Sequence, residues 1–539
     1  MPNAPTSKQP FESATVESID VILAPGCGSD TLQKVVDALL GGTGWVIEPV
    51  KYDPTGREYD LKPSTPIDPA TVFEIALALK KDGCIEDADP SFAALYPEPA
   101  EPSPASAPSP AKPAKKFEAF AAEPLNEDEY DWNVRFVRAH EAWRIPDSKS
   151  RQGAGIRIGH PDSGYLPHPE LGANFNPELG YDFIDEERNT NKPGGSHGLS
   201  TASVISSPHD YDGYDASGNK EPFVAGIAPQ AEIIPLRVAK PTIGIPAPVL
   251  FWVGADRLRD AIWYALTKNV HVISISLGWL PSAGLRRAVA EAVRQNVIVV
   301  AAAGNFTGPI VVWPAAYDDA IAMAACNARV QPWGPSARGQ AVDATGPGEN
   351  VWTAQPDGAV QKSSGTSHAT ATVAGIAALW LAHHGREKLL EQYAGGPSLA
   401  QVFRHVLRAS CETWNQNNSW WGAGIVNAKK CLEHPLPPQN LEAFGSATAK
   451  KRDSDTVVDA FTGVPKADVQ RRLANVLNVD EAKAAQLDAI FGRELRFWAL
   501  TDPEFREAIE SGSTKKFESF GSTIGAAAKF SPALKAALK

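Results

Sequence analysis

Three short segments of this 539-residue chain carry side chains that together could cleave an amide. In IRIGHPDSGY, Asp162 follows an apolar run and precedes Ser163-Gly164. In GGSHGLSTASVI, His197 opens a helical stretch beside Gly198. In KSSGTSHATATVAG, Ser367 follows Gly365-Thr366 and starts a helix rich in small residues. Amide hydrolysis needs a nucleophile, a base to take its proton and a group that holds the base, and Ser, His and Asp supply these roles. It also needs donors where negative charge collects on the former carbonyl oxygen. Asn305, closing VIVVAAAGN, is an amide placed to offer one. Ser367 sits at a helix N-terminus, where backbone N–H groups lack intrahelical partners and the dipole is positive.

These residues need rigid elements behind them. GIRIGH, AEIIPLRV, VHVISISLG and VIVVAAAGN are nearly continuous apolar runs, as expected of parallel strands buried on both faces. Helical stretches alternate with them, which predicts a doubly wound α/β sheet over 125–436. Residues 1–96 read differently. IDVILAP, an amphipathic helix at SDTLQKVVDALLGG, the strands GWVIEPVKY and REYDLKP, a helix at ATVFEIALALKK and a short strand near Cys84–Ile85 give the order βαββαβ of a ferredoxin-like α+β domain. The Pro/Ala/Ser-rich stretch 97–124 predicts an extended linker. A second linker covers 437–455, and 456–539 reads as a helical accessory module without strand signals.

Four ordered motifs, D-S-G, H-G, A-A-G-N and S-G-T-S, together with DSGYLPHPEL, VISISLGW and the closing segment WGAGIVNAKKCL, resemble the subtilisin-like serine protease family. The order Asp162, His197, Ser367 is that family's order. The resemblance covers about 131–433. It implies a seven-stranded parallel core and serine endopeptidase activity through an acyl-enzyme. Carried over by position, Ser367 is the nucleophile, His197 the general base and acid, and Asp162 the group that orients the imidazole. Asn305 with the Ser367 N–H forms the oxyanion hole. Ser276, Leu277, Gly278, Ala303 and Gly304 border the specificity pocket, and Val312 lies near its floor. Residues 1–96 resemble the family's propeptide, which implies an intramolecular inhibitor, self-cleavage between about Pro97 and Asn126, and a zymogen. The chain departs from the family in having His368 where a Met follows the nucleophile, H-G-L-S-T-A-S for H-G-T-H-V-A-G, and H-P-D-S-G for a plain apolar approach. His160 and His368 are expected to pack or hydrogen-bond rather than react, and His168 to serve the H-P-E-L turn.

Composition bounds the alternatives. The net charge is −12 with a pI near 5.5, which argues against nucleic acid as the main partner. No apolar run approaches the ~18 residues of a membrane span, and the first residues carry no secretory pattern. Five scattered cysteines without C-x-x-C spacing predict neither a disulfide framework nor a zinc site, and point to the reducing cytoplasm; Cys411 and Cys431 are a possible pair on export. No cofactor is required by this chemistry. Asp210, Asp212, Asp215 and Glu221 form an oxygen-rich loop that would suit calcium, although a solvated acidic loop is the commoner outcome. Protein or peptide substrates are expected, with a further protein partner for the helical module. The competing reading is a catalytically weak, protease-like scaffold, which the complete set of Asp, His and Ser disfavours. An esterase is disfavoured by the cleft-lining Ser276-Leu277-Gly278.

Overall fold

The computed structural model describes residues 14–41, 44–97, 125–145, 151–192, 196–208, 223–241, 250–278, 280–305, 307–414, 420–439, 455–461, 464–511 and 529–539. The N-terminal domain has strands β1 (Thr15–Leu23), β2 (Trp45–Pro49), β3 (Glu58–Pro63) and β4 (Ile85–Pro97), with helices α1 (Ser29–Leu40) and α2 (Pro69–Leu79). Its strands lie in the order β2-β3-β1-β4, all antiparallel, as a ferredoxin-like sheet requires. Gly41 ends α1 in the left-handed conformation at φ 75°, which glycine adopts without a Cβ clash. Asp68 caps α2 by accepting from the Ala70 N–H at 2.8 Å, and Pro69 fills the first helical position. Two expectations fail here. The last strand is thirteen residues long rather than short, because it continues past its own sheet onto a neighbouring strand. Cys27 and Cys84 form a disulfide, which corrects the expectation of none. The fold brings the turn before α1 to the start of β4, with the two Cα atoms 5.7 Å apart, a proximity that cysteine spacing does not reveal. Cys326, Cys411 and Cys431 are free.

The second unit is built on a seven-stranded sheet of β5 (Arg157–Asp162), β6 (Tyr181–Asp182), β7 (Glu232–Arg237), β10 (Val272–Ile275), β11 (Ile298–Ala302), β12 (Ile321–Cys326) and β13 (Ala344–Pro347). The order is β13-β12-β11-β10-β5-β7-β6 and every pairing is parallel. Between β7 and β10 lie β8 (Ala239–Pro241) and β9 (Leu250–Gly254), which leave this sheet. The helices that matter for the site are α3 (Ser196–Ser206), α4 (Ala255–Thr267), α5 (Ala283–Arg294) and α6 (Thr366–His384). From β5 the chain first adds strands on one side and then crosses to β10 on the other. That reversal opens a crevice beyond the carboxyl ends of β5 and β10, where ligands of open α/β sheets bind.

The N-terminal domain is docked on this unit. β4 pairs antiparallel with β9, from Ala93 opposite Gly254 to Pro97 opposite Leu250, so β9 and β8 extend the N-terminal sheet to six strands. On β1, Ile19, Val21 and Leu23 are buried in the domain's core, while the alternate residues Ser18 and Asp20 are buried too. What covers that polar face is α4 and α5. Arg259 of α4 binds Asp60 at 2.6 and 2.9 Å and Asp20 at 3.3 Å. Asp20 also accepts the Gly284 N–H at the start of α5, at 3.0 Å. A side chain at Gly284 would collide with Glu58 and Asp20, so glycine permits this approach. Arg287 adds bonds to Glu58 at 3.0 Å and Asp53 at 3.3 Å.

The C-terminal module includes α7 (Lys466–Leu477) and α8 (Glu481–Thr501), with further helices at Pro503–Ser511 and Pro532–Leu538, the last not anticipated from sequence. It straddles the seam. Phe497 stacks on Phe92 of β4 with ring centres 4.4 Å apart and approaches Phe73 of α2 at 5.4 Å. Arg493 grips both oxygens of Asp87 at 2.9 Å. Asp455 joins Arg493 to Arg286 of α5, at 2.7 Å each, and Arg496 lies 5.0 Å over the Trp313 ring.

Candidate functional site

Asp162 ends β5 and His197 is the second residue of α3. Their side chains meet in the interior: Nδ1 of His197 lies 2.6 Å from Oδ1 of Asp162, with exposures of 5% and zero. The Ser163 N–H donates to the same Oδ1 at 2.6 Å. Gly198 makes the approach possible, since a Cβ there would stand 2.2 Å from the Gly164 carbonyl oxygen. Burial pushes the Asp162 carboxyl up, but the charge and hydrogen bond of His197, the nearby His160 and the Ser163 N–H outweigh it and hold the group below its ordinary range.

Ser367 lies in the first turn of α6, 2% exposed. Its hydroxyl donates to the Ser276 carbonyl at 2.9 Å, and the Ser276 hydroxyl returns a bond to the Ser367 carbonyl at 3.1 Å. A serine hydroxyl has one hydrogen, so at rest that proton is held by the backbone after β10. Helices α3 and α6 pack together, and His368, next to Ser367, feels the charges of both His197 and Asp162. The start of α6 therefore adjoins the Asp–His pair. His368 is buried, its ring nitrogens take no hydrogen bond, and burial drives its pKa down to about 3.

Asn305 follows β11. Its Oδ1 accepts from the Thr366 N–H at 3.0 Å and hydroxyl at 2.9 Å, which fixes the amide plane. Its nitrogen then faces the turn before α6: a Cβ built on Gly365 would lie 3.5 Å from Asn305 Nδ2 and 3.7 Å from the Ser367 nitrogen. Two donors thus converge next to Ser367. The residues expected around the pocket also gather at strand ends. Ser276, Leu277 and Gly278 are buried after β10, and Ala303 and Gly304 follow β11. Val312 donates its N–H to the Ala303 carbonyl at 2.9 Å, and its side chain lies 3.0 Å from where a Cβ on Gly304 would be.

Sequence reasoning missed the surroundings of the second Asp162 oxygen. Thr201, one turn past His197, reaches Oδ2 at 3.2 Å and the His160 Nε2 at 3.1 Å. The signal available was a polar residue on the inner face of a helix that is otherwise small or apolar. His168 caps the turn Pro169–Leu171 by accepting from the Glu170 N–H at 3.1 Å, as expected of a turn residue. The calcium candidates Asp210, Asp212, Asp215 and Glu221 lie outside the described residues, as does most of the segment expected to be cut. Among the described residues, Asp182, Asp185 and Glu187 cluster closely enough to hold a cation. Protein cations already occupy that cluster: Arg237 binds Asp182 at 2.6 Å and Asp185 at 3.0 Å, and Lys192 contacts Asp185 and Glu187. No described helix is long and apolar enough to cross a membrane.

Residues 153–410 match the model of the subtilase family. Thermitase of Thermoactinomyces vulgaris is 30% identical over 299 residues, covering 55% of this chain and 94% of that protein. Subtilisin E of Bacillus subtilis is 29% identical over 256 residues, 47% of this chain and 59% of its own length. A solved structure, that of the prenylagaramide maturation protease PagA, aligns at 24% identity and a TM-score of 0.42 over 55% of this chain and 97% of that one. The thermitase match reaches 30% identity and spans nearly all of that enzyme, and the matched family segment 153–410 contains Asp162, His197, Asn305 and Ser367; on that ground the chain belongs to the subtilase family of serine proteases.

Proposed function

We propose that the protein is a serine endopeptidase working through Asp162, His197 and Ser367, with its N-terminal domain as a built-in inhibitor. The observation that carries the reading is the buried 2.6 Å contact between Asp162 and His197, beside a helix start that presents Ser367. A substrate entering the crevice turns the Ser367 hydroxyl from the Ser276 carbonyl to Nε2 of His197. The oxygen attacks the scissile carbonyl as His197 takes the proton, and Asp162 stabilises the imidazolium. Charge on the former carbonyl oxygen is met by the Asn305 amide and the Ser367 N–H. His197 then protonates the leaving amine, and water reverses the sequence on the acyl-enzyme. Only side chains, backbone and water take part in these steps. Val312 against Gly304 makes the pocket floor shallow, which favours a modest apolar side chain before the cut bond.

Two features support the regulatory part of the reading. The last strand of the N-terminal domain is already paired with β9, the way an extended peptide adds to a sheet edge. The helical module then bridges that domain to the protease through Phe497 and Arg493 on one side and Asp455 and Arg496 on the other, so the partner it fits is the N-terminal domain. The Cys27–Cys84 disulfide favours an oxidising compartment over the reducing cytoplasm.

The test is a fluorophosphonate probe with Ser367→Ala. Wild type should be labelled and should run as two fragments, cut between about Pro97 and Asn126. Ser367→Ala should remain one unlabelled chain with turnover lower by ~10⁶. A wild-type chain that is neither labelled nor able to digest an unfolded protein would return the scaffold reading.

A further inference from the structure

The residues behind Asp162 are unusual for their place. His160 and Asp162 alternate along β5 and so point to the same face. In the H-P-D-S-G segment this face carries an imidazole that is fully buried. Its two nitrogens are both engaged: Nδ1 lies 2.7 Å from the Tyr165 hydroxyl and Nε2 lies 3.1 Å from the Thr201 hydroxyl. Nε2 is 3.9 Å from Oδ2 of Asp162, too far for a direct hydrogen bond. Thr201 fills the gap, 3.2 Å from Oδ2, and it also lies 3.0 Å from the His197 carbonyl one turn back.

Hydrogen counting sets the direction. Thr201 has one hydrogen and several acceptors in reach, of which only Oδ2 is ionised and therefore the strongest. The one hydrogen of the Tyr165 hydroxyl is engaged by the His160 carbonyl, so Nδ1 donates to that hydroxyl and the neutral imidazole presents Nε2 to Thr201 as an acceptor. Nε2 and Oδ2 then compete for the Thr201 hydrogen, and leaving the buried anion unsatisfied is the costlier of the two.

We propose that Thr201 is a positioning residue for Asp162: its hydroxyl donates to Oδ2, and the carboxylate is thereby held with Oδ1 on His197. The inference rests on the serine-protease reading above. A neutral His160 does not compete with His197 for the charge of the carboxylate, and burial keeps its pKa down at about 4. The other charged or titratable groups around Asp162 are His197, His368 from α6, Tyr165, and Arg237, whose guanidinium donates to the Ser163 carbonyl at 3.3 Å.

The experiment compares Thr201→Val and Thr201→Ser in the full chain. Removing the Thr201 donor leaves the carboxylate less well satisfied, so it draws the His197 proton harder and is free to turn. Thr201→Val should lower kcat roughly tenfold, the loss expected for one hydrogen bond to a charged group, with KM within about twofold. The acid limb of kcat/KM should move up by ~0.5 pH unit. Thr201→Ser should restore both. A merely structural role would lower thermal stability and leave the acid limb in place. Folded Thr201→Val with wild-type kcat and an unmoved acid limb overturns the proposal. If wild type fails to label at Ser367, the protease reading falls instead. The His197 Nδ1–H resonance then decides the positioning role without turnover, since it should move in Thr201→Val and an unmoved signal overturns the inference.

Discussion

Arg259→Met should loosen the N-terminal domain while leaving the protease itself intact. Arg259 is fully buried under the N-terminal sheet, with Asp20, Asp60 and Asp260 around its guanidinium. Without that sheet it would be a solvated residue on α4, where Met is an equally good helix former. The cost therefore falls on the docked state, in which two carboxylates lose their cation in a dry interface. Removing one partner from a buried pair costs about 3–5 kcal/mol, or two to three and a half decades in the docking equilibrium.

That estimate carries a pH dependence with a definite sign. In the docked state burial pushes Asp20 up to about 7 and Glu58 up to about 8, against the opposing pull of Arg259. In the undocked state both face water with ordinary carboxyl values. Docking thus takes up protons: it is strongest below the free carboxyl range and is lost as pH rises through 7 to 8. Arg259→Met should steepen this loss, and acidification should reverse part of it. The assay is the rate at which a fluorophosphonate labels Ser367 in the full chain, which follows the undocked fraction. Wild type should label faster as pH rises from 5 to 9, and Arg259→Met should label at least a hundredfold faster at pH 8 until undocking is complete. Equal rates for the two proteins across that range would refute the reasoning, because the carboxylates would then have found other partners at no cost.

Asn305→Ala should lower kcat by ~10²–10³ with little change in KM, since the amide meets charge that exists only in the transition state; steady-state kinetics on a peptide substrate checks this. Phe497→Ala removes a ring stacked on Phe92, a truncation worth about 3–5 kcal/mol in a packed core. It should raise the Ser367 labelling rate as Arg259→Met does, but equally at all pH values, because no titrating group is lost.

The elements that carry the proposed chemistry were legible along the chain because local rules govern them. Strands buried on both faces must be apolar throughout, so β5, β7, β10 and β11 stood out, and the residues just past their carboxyl ends are those an open α/β sheet presents to a ligand. Helix starts at His197 and Ser367 were visible from adjacent glycines and small residues. The βαββαβ order of the first domain and the two principal helices of the last were readable from periodicity alone. Other features required the folded chain. Whether Asp20 and Asp60 faced water or protein depended on α4 and α5, some two hundred residues away. The length of β4 depended on β9, and the Cys27–Cys84 bond on the sheet that brings its ends together. Thr201 met Asp162 only when α3 crossed the end of β5, and Arg493 met Asp87 across 406 residues of sequence. Periodicity reports which face of an element is apolar, whereas what covers a polar face, such as that of Asp20 and Asp60, is set by long-range packing.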